Sequence, residues 1–128
     1  MSDKNTTIQE IREWVRSFRD KRGWTQRQNA KNCAISLVLE ATELLEHYQW
    51  YEGEEIEADK HRKQEVRYEL VDVLYWVVTL ADAYDIDLSE TLKKKMNKTD
   101  KRYPVAEFPE GLPAKEALKR YYALKRQS

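Results

Sequence analysis

The sequence predicts an all-α fold, a four-helix bundle with a short extra helix at its C-terminal end. Two observations carry this. Only three glycines and three prolines interrupt 128 residues, so turns are few and regular segments long. Apolar residues recur at three- and four-residue spacing, and β-structure finds almost no support in the pattern.

The elements follow in order. A first helix starts near Thr7, with Ile8, Ile11, Trp14, Val15 and Phe18 on one face, and ends around "RDKRGW", where Gly23 serves as a C-terminal cap. Asn29 or a near neighbour caps a second helix running to about Trp50. The polar segment "YEGEEIEADKHR" is expected to be a mobile connection. A third helix covers Lys63 to Tyr84, "DIDLSE" makes a turn, and a fourth helix runs to about Lys101. After "YPVAEFPEGLP" a basic amphipathic helix spans Ala114 to Arg126. Residues 1–104 are read as the bundle and residues 105–128 as a tail within the same single domain, a length sufficient for one core without staples.

Composition narrows the function classes. Basic and acidic residues balance at 23 each, so no global field draws the chain to nucleic acid or to anionic lipid. The single Cys33 permits no internal disulfide, as suits a reducing compartment. The N-terminus has no apolar signal-like region, and the longest apolar run, "LVDVLYWVVTLA", contains Asp72 and is too short to span a bilayer. The expectation is a cytoplasmic protein with no membrane or nucleic-acid partner.

The carboxylates then become the question. In "LVLEATELLEHYQW", Ser36, Glu40, Glu43 and His47 fall within an arc of roughly 60° on a helix of 3.6 residues per turn, bordered by apolar residues. Glu46 lies outside it. The third helix repeats the pattern: Glu65, Glu69, Asp72 and Trp76 share a stripe, while Leu70, Val71, Val73, Leu74, Val77, Val78 and Leu80 cover most of the rest. A helix apolar nearly all round is expected to be buried nearly all round. A single Glu-x-x-Glu is usually a solvated face. Two acidic pairs embedded in apolar helices also fit a cation held between them, and oxygen-only donors favour Mg²⁺, or Mn²⁺, over zinc. A di-iron site would use Glu-x-x-His pairs, and no such pair occurs.

The run "RGWTQRQNAKNCAISLVLEATELLEHYQW", then "YELVDVLYWVVTLADAYDIDL", then "KKKMNKTDKRYP" resembles the MazG-like all-α nucleoside triphosphate pyrophosphohydrolases, nearest the dCTP-pyrophosphatase-like branch. The resemblance covers residues 8 to 104. It implies a Mg²⁺-dependent helical protein, assembled as a homo-dimer or homo-tetramer, that hydrolyses a nucleoside triphosphate to the monophosphate and pyrophosphate. It also implies that Glu40, Glu43, Glu69 and Asp72 hold the metal and act in catalysis, matching the family's Glu-Glu-x-x-Glu and Glu-x-x-Asp motifs. Leu39 stands in place of the first Glu. The resemblance puts Trp24 and Trp50 against the nucleobase and lets Trp76 flank the same pocket. Gln28 stands where the branch commonly carries His. Lys31 and Asn32 are candidates for phosphate or first-helix contacts. Lys95, Arg102 and Tyr103 keep the family's phosphate-binding pattern, and Thr99 replaces its Asn. His47 is read as a neighbour of the ligands or a surface residue, and His61 has no role. The competing class is a non-catalytic helical adaptor that senses nucleotide or oligomerises.

Overall fold

A computed structural model describes residues 1–27 and 29–127; Gln28 lies outside the described residues. Among these residues every regular element is helical. The chain forms two compact units, residues 1–86 and residues 87–128.

The first unit contains α1 (Ile8–Asp20), α2 (Ala30–Glu46), α3 (Gly53–Ala58) and α4 (Lys60–Ala83). Side chains at the helix starts satisfy the amides that a helix leaves unpaired. Thr7 and Glu10 form a reciprocal capping box at α1, Asn29 accepts from the Asn32 amide at α2, and Asp59 accepts from His61 and Arg62 at α4. The end of α1 is closed as the sequence anticipates. Gly23 takes the left-handed conformation, φ 65°, and its amide donates to the Asp20 carbonyl while the Trp24 amide donates to that of Arg19, at 3.0 Å each. This is a Schellman closure, which a side chain at the left-handed position would strain.

The long helix α4 is central, packing most extensively on α2 and also on α1 and α3. Arg12 of α1 is buried and ties the end of α4. Its guanidinium donates to the carbonyls of Ile86 at 2.6 Å and Ala81 at 3.2 Å, and to Asp82 at 3.3 Å. Arg16 donates to the same carboxylate at 2.9 Å through Nε and again through its terminal nitrogen. These bonds, Arg16's first, hold the Asp82 carboxyl below the usual carboxylate range.

Three expectations are corrected. The polar connection carries a helix of its own, α3, because Ile56 within it finds a buried place and the Glu52 and Glu55 side chains cap its start; α4 accordingly begins at Lys60. The second helix ends at Glu46, capped by His47, so Trp50 lies in a turn. Finally, α4 is not buried all round. Val78, Thr79 and Ala81 are inaccessible, but Leu70 and Val71 are each 57% exposed, since within this unit only one side of its first half is covered. Together with Ile11, Trp14, Val15, Phe18, Leu74 and Tyr75, Val71 lines an open apolar groove of about 260 Å³ between α1 and α4.

The second unit comprises α5 (Leu88–Arg102), a 3₁₀ turn at Val105–Glu107, and α6 (Ala114–Arg126). Asp87 caps α5. Tyr103 stacks on Tyr121 with ring centroids 5.0 Å apart and meets Phe108 edge-on. Arg120 donates to the Glu107 carbonyl at 2.9 Å. These contacts fasten α6 to the end of α5.

Candidate metal centre and adjoining pocket

The acidic stripes of α2 and α4 meet. One carboxylate oxygen each from Glu40, Glu43 and Glu69 lies within 4.8 Å of the others. Glu40 and Glu43 are i and i+3 on α2 and so share a face, while Glu69 reaches in from the helix that α2 packs on most extensively. Glu40 and Glu69 are half-buried and Glu43 is exposed. Three carboxylates this close repel one another unless a cation or a proton intervenes, and three hard oxygen donors fit an ion such as Mg²⁺ or Mn²⁺.

Side chains around the cluster set its orientation. The Trp76 indole N–H donates to Glu40 at 3.4 Å. Nε2 of His47 stands 3.8 Å from Glu69, an ion-pair distance beyond direct hydrogen bonding.

Asp72 is outside the three-oxygen cluster but not remote from it. With Glu40 it lines a pocket of about 580 Å³ whose other walls are Phe18, Trp24, Arg27, Tyr75 and Trp76. Trp24 packs edge-on against Phe18 at 5.9 Å, and Tyr75 against Trp76 at 5.1 Å. Burial pushes the Tyr75 phenol above its ordinary value, so at neutral pH it keeps its proton. Aromatic walls with a few charged groups at one side suit a ligand having a flat apolar part and an anionic part.

Of the residues singled out from the sequence, the structure gathers Glu40, Glu43, Glu69, Asp72, Trp24 and Trp76 into this one region. Trp50 is 79% exposed and does not line the pocket. Lys31 and Asn32 lie exposed on the first turn of α2, also off the pocket. Lys95, Arg102 and Tyr103 belong to the second unit, where one ring face of Tyr103 is taken by Tyr121. Thr99 donates to the Lys95 carbonyl. Gln28 falls outside the described residues. Sequence reading missed Phe18, Tyr75 and Arg27. The first two look like core positions by helical spacing, and an arginine in a polar loop carries no periodic signal.

Comparison with known proteins gives the arrangement a family. The sequence model of the MazG-like family matches residues 35–110, which contain all four candidate carboxylates. The chain belongs to the MazG-like family. It is 33% identical over 102 residues to dCTP pyrophosphatase 1 of Bos taurus, covering 77% of this chain and 60% of that protein. The Homo sapiens protein of the same name is 33% identical over 101 residues, with 77% and 59% covered. The chain thus spans about 60% of the length of these curated relatives. The crystal structure of a pyrophosphatase from Archaeoglobus fulgidus superposes with a TM-score of 0.70 at 38% identity, covering 81% of this chain and 98% of that one. The all-α expectation and the family resemblance are both borne out.

Proposed function

We propose that this chain is a nucleoside triphosphate pyrophosphohydrolase that cleaves between the α and β phosphates, releasing a nucleoside monophosphate and pyrophosphate, in nucleotide-pool house-cleaning. The observation that carries the reading is the convergence of Glu40, Glu43 and Glu69 beside an aromatic-walled pocket that also contains Asp72. The pyrophosphatase names of the relatives and of the Archaeoglobus structure support it, and dCTP is the substrate class they suggest first.

In this reading Glu40, Glu43 and Glu69 hold Mg²⁺, with Mn²⁺ an alternative. The ion supplies charge neutralisation for the triphosphate and Lewis-acid activation at the bond to be broken. Trp76 keeps Glu40 turned toward its partners through the indole hydrogen bond. Trp24, held at the closed end of α1, offers a face for the base. Asp72, on the pocket wall outside the three-oxygen cluster, takes the proton of an attacking water in this reading.

The exposed groove between α1 and α4 supports assembly as a homo-dimer or homo-tetramer, because apolar surface of that kind is normally covered. Among the described residues no helix is long and apolar enough to cross a membrane, and a cytoplasmic location is part of the proposal. The test is pyrophosphate release from a panel of dNTPs and NTPs, with and without Mg²⁺, for the wild type and Glu43→Ala. Mg²⁺-dependent release that the variant loses supports the reading. Binding without release would instead favour a non-catalytic nucleotide sensor, and release undiminished in Glu43→Ala would remove the carboxylate cluster from the chemistry.

A further inference from the structure

We propose that Arg27 reads the edge of the bound base and selects bases that present two neighbouring acceptors in one plane. The inference rests on the nucleotide reading of the pocket given above and goes beyond it by naming a selectivity residue and the chemistry it recognises.

Four observations lead to Arg27. It lines the same pocket as Trp24, Glu40, Asp72 and Trp76, and it is the cation on that wall. Its backbone amide donates to the Trp24 carbonyl at 3.1 Å, so a tight turn fixes the Arg27 backbone against that of Trp24. The Trp24 end of that turn is itself pinned by the closure of α1. Finally, the Arg27 guanidinium has no hydrogen bond or ion pair among the described residues, which leaves its donors available to a ligand.

The chemistry follows from the shape of the group. A guanidinium presents two parallel N–H donors in a rigid plane and is best satisfied by two acceptors side by side. A base stacked on the indole has its edge directed sideways, within reach of a side chain that starts one turn away. Guanine offers such a pair at O6 and N7, and cytosine at N3 and O2. Adenine places an amino donor beside each ring acceptor on these edges, and thymine separates its two carbonyls by an N–H. The fork therefore favours guanine and cytosine nucleotides over adenine and thymine nucleotides. A bidentate arginine contact of this kind is worth about ten-fold or more in discrimination.

The experiment measures binding rather than turnover. The α,β-imido analogues of dCTP, dGTP, dATP and dTTP are titrated calorimetrically, in Mg²⁺, into the full-length wild type, Arg27→Leu and Arg27→Lys. The expected result is that the wild type binds the dCTP analogue, the dGTP analogue or both about ten-fold tighter than the other two. Arg27→Leu and Arg27→Lys should both reduce that ratio to about two-fold or less, since lysine keeps the charge and lacks the fork. Which analogue loses most tells cytosine from guanine. An equal loss for all four analogues in Arg27→Leu, restored by Arg27→Lys, would make Arg27 a phosphate contact and overturn the proposal. So would a wild type that binds all four alike, or none. Because the analogues are not cleaved, base selection by Arg27 can stand even if no pyrophosphate is released, and hydrolysis can stand if Arg27 proves indifferent to the base.

Discussion

Replacing Asp82 by alanine should destabilise the first unit by about 3 kcal/mol, a figure built from its partners. In the wild type this carboxylate is shared by two arginines of unequal burial, with side chains 9% exposed for Arg12 and 45% for Arg16. Once the carboxylate is gone, Arg16 turns into water, so its share is at most about 1 kcal/mol. Arg12 cannot follow. It keeps the Ile86 and Ala81 carbonyls but is left a buried cation without its nearest counter-charge, at a cost of roughly 2 kcal/mol. For a chain of this size the sum corresponds to a fall in Tm of about 10 °C. Urea and thermal unfolding at pH 7 measure it, and a double-mutant cycle with Arg12→Met isolates the pair. Removing both charges should cost less than the sum of the single changes, by about 2 kcal/mol. A loss below about 1 kcal/mol for Asp82→Ala, or strict additivity in the cycle, would refute the picture of a buried tie across α1 and α4.

Three further outcomes are expected. Since the arginines hold the folded-state Asp82 carboxyl below its ordinary value, its stabilisation is complete above the unfolded value of about 4 and fades as pH falls through the lower folded one. The stability gap between wild type and Asp82→Ala should thus be flat from neutral pH to about 5 and close below about 4; a gap already closing near neutrality in urea titrations would contradict this. Glu43→Gln should raise the Tm of EDTA-treated protein slightly, by the equivalent of about 0.5 kcal/mol, because it removes the exposed member of a cluster of mutually repelling carboxylates, and should lose most of any protection by Mg²⁺. Unchanged Mg²⁺ protection in thermal melts would exclude Glu43 as a ligand. The Thr79 hydroxyl is buried with no hydrogen-bond partner among the described residues, so Thr79→Val should stabilise by about 1 kcal/mol; destabilisation would mean that the hydroxyl is satisfied after all.

Much of this molecule is legible from spacing. Helical periodicity gave the long helices, and the end of α1 was readable because Gly23 is a residue whose backbone freedom has a specific use. The convergence of Glu40, Glu43 and Glu69 could be anticipated because carboxylates flanked by apolar neighbours must face something other than open water. What periodicity cannot carry is a short element fixed by one side chain. Ile56 determines α3, yet one apolar residue in a polar stretch gives no pattern. Exposure was misjudged on α4 for a different reason: hydrophobicity all round a helix says that its surface is to be covered, not that this same unit covers it. Arg27 was invisible because its importance comes from the turn that joins it to Trp24, and turns have no period.

That turn divides the molecule's labour. The candidate metal-holding groups sit on α2 and α4, whose geometry is shared by many packed neighbours. The candidate base-reading group sits on a link whose ends are secured independently, at Trp24 by the closure of α1 and at Asn29 by the cap of α2. Thr25 adds a hydroxyl bond back to Asp20 at 2.5 Å. Substitutions at Gln26 and Arg27 are therefore expected to leave the cap of α2 and the closure of α1 intact. Inherited changes there could redirect which nucleotide is chosen while the reaction itself is preserved, so preference and chemistry can evolve at different rates. For an engineer the same separation makes residues 26 and 27 a two-position library in which selectivity can be searched at little risk to folding.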